Sequence, residues 1–249
     1  MDFVKMEGLG NDFVVLEGPL APTEDEVGRW CDRRRGIGAD GVLVVTPSGD
    51  GNVTMDYWNA DGTPAEMCGN GLRCVARYSA DRGLTTSDEF TVTTSLGPRR
   101  VEVGSNKVRV ELGPVQALGD SVELAGYELA SIAVGNPHAV AFVDDCYEVP
   151  VGAVGPVIEG DPHYSERTNV GFATVIGRDR IALRVWERGV GETLACGTGA
   201  AAAVAEAYRS GRTGPSVTVL LPGGEMAVEM INGIAWIEGP ATTVFRGSL

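Results

Sequence analysis

The sequence lacks the features that mark a membrane-spanning or nucleic-acid-binding chain. No apolar run approaches the ~18 residues that a helix needs to cross a bilayer, and Met1 to Glu7 lack the long apolar core of a signal peptide. Basic residues are scarce, because 20 Lys and Arg stand against 34 Asp and Glu, a formal net charge of −14. Phosphate groups bind to clustered Lys and Arg. We therefore expect a cytoplasmic protein with no nucleic-acid or membrane partner, and we interpret the one basic run, Arg33-Arg34-Arg35, as a solvated turn after a helix.

Metal-binding and disulfide patterns are missing as well. The five cysteines, an odd number, include no Cys-x-x-Cys pair, and the two histidines, His138 and His163, lie far apart. Zinc sites and disulfide frameworks need closer or more regular spacing. We expect reduced thiols, no metal and no cofactor.

Glycine, in contrast, is abundant, and a cysteine followed by a short glycine turn occurs twice. Cys68-Gly69-Asn70-Gly71 precedes one helix-like segment, and Cys196-Gly197-Thr198-Gly199 precedes an alanine-rich segment that favours a helix strongly. Each cysteine is thus predicted to lie just before a helix N-terminus. Free backbone N–H groups and the helix dipole favour a thiolate and a bound anion at that position.

The residues before the two cysteines indicate an internal duplication, because corresponding positions of the two halves lie at equal distances from each cysteine. The Gly-Asn pairs Gly10-Asn11 and Gly135-Asn136 also lie at nearly equal distances before Cys68 and Cys196. Two cysteines at equivalent points of both halves are hard to explain as packing residues alone. Cys31, Cys74 and Cys146 have no counterpart in the other half and are predicted as core residues. The pairs at equal distances are Trp58 and Trp186, Asn59 and Glu187, and Gly41 and Asn169.

Periodicity predicts many short strands and few helices in both halves. Thr23 to Glu26 has the form of a capping box and opens a helix that ends near Cys31. The Gly/Pro-rich segment 149–162 receives no regular element. Strands are predicted at 2–6, 12–17, 41–46, 53–58, 89–95, 99–103 and 107–112, and again at 128–134, 139–143, 169–176, 181–187, 217–221, 226–231 and 234–238.

Two thiols facing each other across an approximate two-fold axis would suit inversion at a carbon atom. The N–H groups at the two helix starts, those of Gly69, Asn70, Gly197 and Thr198, would hold a carboxylate and stabilise charge as the α-proton leaves. One thiolate would remove the proton from one face while the opposite thiol donates a proton to the other. The predicted reaction is racemisation or epimerisation without pyridoxal phosphate, in a site that excludes water.

Three other functions remain open at this point. A nucleotide-binding module would use Gly197-Thr198-Gly199-Ala200, but the expected acidic residue ~20 positions later is missing. A cysteine hydrolase would pair Cys196 with His138 or His163 and would need only one essential cysteine. A thiol-redox protein would show a close cysteine pair.

The sequence resembles the diaminopimelate epimerase family, whose members interconvert L,L- and meso-2,6-diaminopimelate for lysine and peptidoglycan precursor synthesis. The resemblance implies an α/β (α+β) fold of two similar domains, residues 1–113 with 240–249 and residues 114–239. Each would be a curled mixed sheet around a central helix. The matching motifs are Gly8-Leu9-Gly10-Asn11-Asp12-Phe13, Gly36-Ile37-Gly38-Ala39-Asp40, Asn59-Ala60-Asp61-Gly62, Met67-Cys68-Gly69-Asn70-Gly71, Gly135-Asn136-Pro137-His138, Thr168-Asn169-Val170, Trp186-Glu187-Arg188-Gly189-Val190-Gly191-Glu192-Thr193 and Ala195-Cys196-Gly197-Thr198-Gly199.

The resemblance also implies roles for the site residues. Cys68 and Cys196 would be the acid and base, assisted by His138 and Glu187. It further implies a homodimer that needs no cofactor, while racemases of histidine or proline on the same fold stay an alternative. The residues expected to hold the far end of the substrate are Asn11, Asn59, Asn136, Asn169 and Arg188.

The chain departs from the family at two positions. Gly41 stands where members often carry Gln, and Glu7 stands where they often carry His. The space left by the missing side chain at Gly41 would be filled by water or by a neighbouring side chain. Alternatively, the substitution would indicate an altered substrate.

Overall fold

A computed structural model describes all residues, 1–249. None of its four helices has both the length and the apolar composition needed to cross a membrane. In chain order the elements are β1 (Asp2–Gly8), β2 (Asn11–Glu17), α1 (Glu24–Cys31), β3 (Gly41–Gly49), β4 (Asn52–Asn59), α2 (Gly69–Asp81), β5 (Glu89–Thr94), β6 (Gly97–Val103), β7 (Val108–Pro114), β8 (Gln116–Ala117), β9 (Val122–Leu124), β10 (Tyr127–Ala133), β11 (Pro137–Phe142), α3 (Val151–Glu159), β12 (Asn169–Gly177), β13 (Arg180–Glu187), β14 (Gly191–Thr193), α4 (Gly197–Arg209), β15 (Ser216–Leu221), β16 (Gly224–Ile231), β17 (Ile234–Gly239) and β18 (Thr242–Ser248).

The chain folds into two compact units, and the first comprises Met1–Val110 with Gly239–Leu249. Strand β1 pairs antiparallel with β2 and with β18, and β2 continues in parallel to β3. Antiparallel β4, then parallel β5 and antiparallel β6, extend the sheet. Helix α2 packs against β1, β2, β3 and β6 and buries Leu72, Val75 and Ala76 completely. These side chains form the buried face of the helix against the sheet.

The second unit, Glu111–Glu238, follows the same plan. Strand β10 pairs antiparallel with β11 and with the short strands β8 and β9. Parallel β12, antiparallel β13, parallel β15 and antiparallel β16 and β17 follow. Helix α4 packs against β10 to β13 and β16, and its alanines Ala200 to Ala203 are fully buried. Small side chains let the strands approach this helix closely.

The strand registers of the two units repeat the duplication that the sequence predicts. Val42 lies opposite Trp58 in unit one, and Val170 lies opposite Trp186 in unit two. The parallel pair β2–β3 corresponds to β11–β12, and the antiparallel pair β3–β4 corresponds to β12–β13. The match of the two tryptophans is thus confirmed at the level of strand pairing.

Helix α1 confirms the predicted capping box. The side chain of Thr23 accepts a hydrogen bond from the Glu26 N–H, and the Glu26 carboxylate accepts one from the Thr23 N–H. Both otherwise unpaired donors are thereby satisfied, so the helix begins where the sequence places it.

Helix α3 was not predicted, because segment 149–162 is rich in residues that disfavour helices. It contains Gly152, Gly155 and Pro156, and proline removes one helical hydrogen bond. The helix forms through tertiary packing, since Val151 and Ile158 are fully buried in a cluster with strands of the second unit. Burial of that apolar face outweighs the poor propensity.

The cysteines predicted as core residues are buried. Cys31, Cys74 and Cys146 are all free thiols, and Cys74 and Cys146 are completely inaccessible. Burial raises the pKa of Cys31 to about 11 and also raises the pKa of Cys74 and of Cys146. These three thiols stay protonated at neutral pH and act as small apolar side chains.

Candidate active site

Cys68 is the N-cap residue of α2. Its backbone is extended (φ −130°, ψ 122°), and its Sγ accepts a hydrogen bond from the Gly71 N–H at 3.5 Å. Gly69 and Asn70, the first two residues of the helix, are buried, whereas Cys68 is half-buried. Side chains of serine, threonine or aspartate commonly occupy such a cap, and here a sulfur atom takes that place beside the N–H groups of the first turn.

Three predicted site residues of the first unit meet at this cap. The Asn11 Oδ1 lies 3.4 Å from the Cys68 Sγ and 3.3 Å from the Asn70 Nδ2, which donates to it. Asn59 lies elsewhere on the sheet, and its Nδ2 donates to the Thr63 Oγ1 at 3.1 Å. Of the predicted substrate ligands, Asn11 lies against the Cys68 sulfur and Asn70 bonds to Asn11, whereas Asn59 is the last residue of β4 and bonds to the turn that follows it.

The space expected at Gly41 is filled by a neighbour. An added Cβ at Gly41 would lie 2.5 Å from the Trp58 carbonyl oxygen and 2.6 Å from Cε2 of Tyr57. The Tyr57 ring also packs edge-on against Phe13, with ring centroids 5.9 Å apart. Glycine is required here because a tyrosine ring covers the position, so no side-chain-sized gap exists.

Arg33 lies in an exposed turn after α1, in agreement with the sequence interpretation, and its side chain also forms ion pairs. Its guanidinium contacts both carboxylates of Asp12, at 2.7 Å, and Asp40, at 2.6 Å. The buried Lys5 also pairs with Asp12 at 2.6 Å. Burial alone would raise the pKa of Asp12, but hydrogen bonds from Arg33 and Lys5 lower it to about 2. The cluster fixes the carboxylates next to Asn11.

Cys196 repeats the arrangement in the second unit. It caps α4 with an extended backbone (φ −122°, ψ 110°), and its Sγ accepts the Gly199 N–H at 3.4 Å. The Thr198 Oγ1 lies 3.6 Å from the same sulfur, and both Gly197 and Thr198 are buried. Each unit thus holds one cysteine at the start of its central helix, as the sequence predicts.

His138 is a buried, neutral side chain. Burial, with the charge of Arg188 as a second cause, lowers the pKa of His138 from 6.5 to about 3. Its Nε2 lies 2.9 Å from the Asn136 Oδ1. Because an amide oxygen only accepts, Nε2 carries the hydrogen, and Nδ1 keeps its lone pair for another partner.

The remaining predicted residues lie at the end of β13, Glu187 and Arg188, and at the start of the neighbouring β12, Asn169. The Glu187 Oε1 accepts a hydrogen bond from the Thr193 Oγ1 at 2.5 Å. The Asn169 amide is held by the backbone on both sides, since its Oδ1 accepts the Arg188 N–H at 3.0 Å and its Nδ2 donates to the Pro137 carbonyl at 2.8 Å. The Arg188 side chain is exposed, and its Nη1 donates to the Glu166 carbonyl at 3.1 Å.

Glu159 was not predicted as a site residue, although it supports the segment that follows β13. Its carboxylate accepts the Gly189 N–H at 2.9 Å and the indole N–H of Trp186 at 2.7 Å, and it pairs with Arg167 at 3.4 Å. Glu159 lies on the unpredicted helix α3, so no sequence signal linked it to the segment that contains Trp186 and Gly189. Sequence reasoning also missed Asp40, although the Gly-Ala-Asp motif contains it.

The site offers thiols, amides and one imidazole rather than metal ligands. No group of three or more His, Cys, Asp or Glu side chains is placed to hold a metal ion. Each cysteine stands beside backbone N–H donors that suit an anion. The arrangement in each unit suits binding of a carboxylate and proton transfer at an adjacent atom.

These features define an α/β protein of duplicated architecture, with one curled mixed sheet and one cysteine-capped central helix in each unit. The chain belongs to the diaminopimelate epimerase family, whose sequence model, described as diaminopimelate epimerase, matches residues 3–118 and 130–244. A diaminopimelate epimerase of Leptospira biflexa is 38% identical over 276 residues, covering 100% of this chain and 99% of the relative. One of Moorella thermoacetica is 41% identical over 277 residues, covering 99% and 98%.

Solved structures show the same fold at low identity. A phenazine biosynthesis protein of the PhzF family from Bacillus anthracis has a TM-score of 0.78 at 15% identity, covering 100% of this chain and 98% of its own. A hydroxyproline epimerase from Agrobacterium vitis, with bound trans-4-hydroxy-L-proline, has a TM-score of 0.78 at 14% identity, covering 99% and 91%. The predicted family and fold class are both confirmed.

Proposed function

We propose that this chain catalyses the interconversion of L,L- and meso-2,6-diaminopimelate, an isomerase reaction, by proton transfer at one α-carbon without pyridoxal phosphate. One structural observation carries the proposal: in each unit the central helix begins at a cysteine whose Sγ accepts the N–H of the third residue after it. The family membership and the relatives at 38% and 41% identity support the substrate.

The helix starts supply the anion site in this mechanism. The first N–H groups of an α-helix have no partner within the helix, and here they belong to Gly69, Asn70, Gly197 and Thr198. They hold the carboxylate next to the reacting carbon. When the α-proton leaves, the electron pair of the C–H bond moves into that carboxylate, and the same donors stabilise the added charge.

The two thiols exchange roles with the direction of the reaction. One thiolate, Cys68 or Cys196, takes the α-proton and becomes a thiol, and the other thiol gives its proton to the opposite face and becomes a thiolate. The charge of the pair is unchanged, while the carbon is inverted. His138, which is neutral, and Glu187 assist the proton transfers of the pair.

Recognition of the far end of the substrate uses one charge and several amides. The Arg188 guanidinium offers a bidentate fork to the distal carboxylate. Asn11, Asn59, Asn136 and Asn169 supply amides, which pair with an ammonium or a carboxylate without adding net charge. This division fits a substrate with an amino acid group at both ends.

The cellular setting follows from the chemistry. Reactive thiols stay reduced in the cytoplasm, so we place the enzyme there, in lysine and peptidoglycan precursor synthesis. The homodimer that the resemblance implies is part of the same proposal, and sedimentation equilibrium of the purified chain tests it.

The test is incubation of the purified protein, freed of cofactors by dialysis, with the L,L isomer in D2O. The meso isomer should form with deuterium at the inverted α-carbon. Cys68→Ala and Cys196→Ala should each abolish interconversion, while Cys74→Ala, a matched change in the same helix as Cys68, should keep it. Turnover of another amino acid but not of diaminopimelate would overturn the proposed substrate, and full activity in either site variant would overturn the mechanism.

A further inference from the structure

Four side chains of the first unit form one hydrogen-bonded chain, and one of its two inner members, Asn11, contacts Cys68. The Arg73 Nη2 donates to the Asn70 Oδ1 at 2.9 Å, and the Asn70 Nδ2 donates to the Asn11 Oδ1 at 3.3 Å. The Asn11 Nδ2 then donates to the Asp40 Oδ2 at 2.8 Å. A guanidinium thus stands at one end, a carboxylate at the other, and two amides lie between them.

The two ends determine which way both amides point. A guanidinium only donates hydrogen bonds, so Asn70 must turn its oxygen toward Arg73. A carboxylate only accepts, so Asn11 must turn its nitrogen toward Asp40. The remaining atoms, the Asn70 nitrogen and the Asn11 oxygen, then match each other. Only this arrangement satisfies all three bonds.

Both ends are held in place by other contacts. Arg73 is fully buried, and its Nε donates to the Pro240 carbonyl at 3.2 Å. Asp40 accepts from the Arg33 guanidinium at 2.6 Å and from the Asp12 N–H at 3.1 Å. Flipping the Asn11 amide would therefore set its oxygen against a fixed carboxylate, which costs the bond and adds repulsion.

The fixed amide specifies the hydrogen bonding of the Cys68 sulfur. The Asn11 Oδ1, 3.4 Å from Sγ, accepts a bond from the thiol, and the Gly71 N–H, 3.5 Å away, donates one to it. Sγ thus gives one hydrogen bond and receives one; a protonated S–H group can do both, whereas a thiolate can only accept.

We propose that Asp40 and Arg73 are positioning residues, which act through Asn11 and Asn70 to hold Cys68 as a thiol, with its proton directed at Asn11, before substrate binds. The consequence for catalysis rests on the proposed function, because a poised thiol is the acid of the two-thiol reaction. Asp40 and Arg73 hydrogen-bond to the amides of Asn11 and Asn70, respectively.

The test uses iodoacetamide, which alkylates thiolates, on the free protein between pH 5 and 10, with each cysteine quantified by peptide mass spectrometry. Asp40→Asn replaces a side chain that only accepts with one that also donates, so the Asn70 contact alone still opposes a turn of the Asn11 N–H₂ group toward the sulfur. The alkylation profile of Cys68 should shift to lower pH, with a rate at neutral pH on the order of fivefold higher, the factor that one neutral hydrogen bond corresponds to. Cys196, in the other unit, is the internal reference and should not change.

Asp12→Asn is the matched control. Asp12 pairs with the same Arg33 and carries the same charge, but its carboxylate accepts nothing from the Asn11 amide. It should leave the Cys68 profile in place. Equal shifts in Asp40→Asn and Asp12→Asn would mean that the loss of a negative charge causes the effect, and this would overturn the proposal. No shift in either variant would overturn it as well.

A second variant covers the case in which Asp40→Asn does not fold. Asn11→Ala removes the acceptor itself from a partly exposed strand start, and it should shift the Cys68 profile in the same direction; an unchanged profile would overturn the proposal. Alkylation of the free protein needs no substrate. Failure of the wild-type protein to epimerise diaminopimelate would therefore contradict the proposed function and leave this comparison intact.

Discussion

Substituting Gly155 by alanine tests the contact that supports the end of strand β13. A Cβ at Gly155, in the middle of α3, would lie 2.6 Å from Cγ and 2.8 Å from Cδ2 of Trp186. The indole is fixed because its N–H donates to the buried Glu159 at 2.7 Å. Trp186 directly precedes Glu187, so a displaced indole also disturbs that part of the proposed site.

The magnitude follows from two opposing effects. Alanine in place of glycine inside a helix usually stabilises by about 0.5–1 kcal/mol. Overpacking a well-packed core costs about 1–3 kcal/mol. We expect Gly155→Ala to lower the free energy of unfolding by about 1–2 kcal/mol, reversing the usual sign of this substitution. Urea denaturation followed by circular dichroism measures it, and kcat should fall together with stability.

Gly152 in the same helix provides the control, because nothing lies within 4 Å of an added Cβ there. Gly152→Ala should leave kcat unchanged and should keep or slightly raise stability. Equal stability of the Gly155 and Gly152 variants would refute the reasoning, since it would mean that the α3–Trp186 contact has room for a methyl group.

Two further predictions concern other buried positions. Gly41→Ala should destabilise the first unit by about 2 kcal/mol or more, because its Cβ meets the backbone oxygen of Trp58 as well as the Tyr57 ring; urea unfolding would contradict this if the midpoint did not fall. The pKa of His138 is lowered to about 3 by burial and by Arg188, so the unfolded chain binds up to one more proton than the folded chain between pH 6.5 and about 3, and stability should fall as pH falls through that window. His138→Gln should flatten this slope in unfolding measured from pH 7 downward, and an unaltered slope would show that another group causes it.

The repeated parts of the fold were predictable from the sequence. The cysteine-turn-helix segments, the matched tryptophans and the capping box at Thr23 each depend on local residue choice and spacing, and the structure confirms them. Helix α3 depends instead on burial of Val151 and Ile158 among distant strands, which outweighs its glycines and proline. Strands of two or three residues, such as β8 and β14, are too short to show a period.

The site was predictable in its residue types and less so in its contacts. Motifs identified Asn11, Asn70 and Cys68, and the structure brings these three together. The Tyr57 ring over Gly41 follows only from strand register, because the two residues lie diagonally on neighbouring strands. Asp40 belonged to a recognised motif, yet its bond to Asn11 becomes visible only when β2 and β3 are paired.

The central claim, two thiols acting on opposite faces of one carbon, is tested most directly by proton exchange in the single-cysteine variants. Each variant keeps one thiol, which can remove and return only the α-proton that faces it and exchanges its own proton with solvent. In D2O, Cys68→Ala and Cys196→Ala should therefore label opposite stereoisomers, one the L,L form and the other the D-centre of the meso form, without interconverting them. Labelling of the same isomer by both variants, or interconversion by either, would contradict the account.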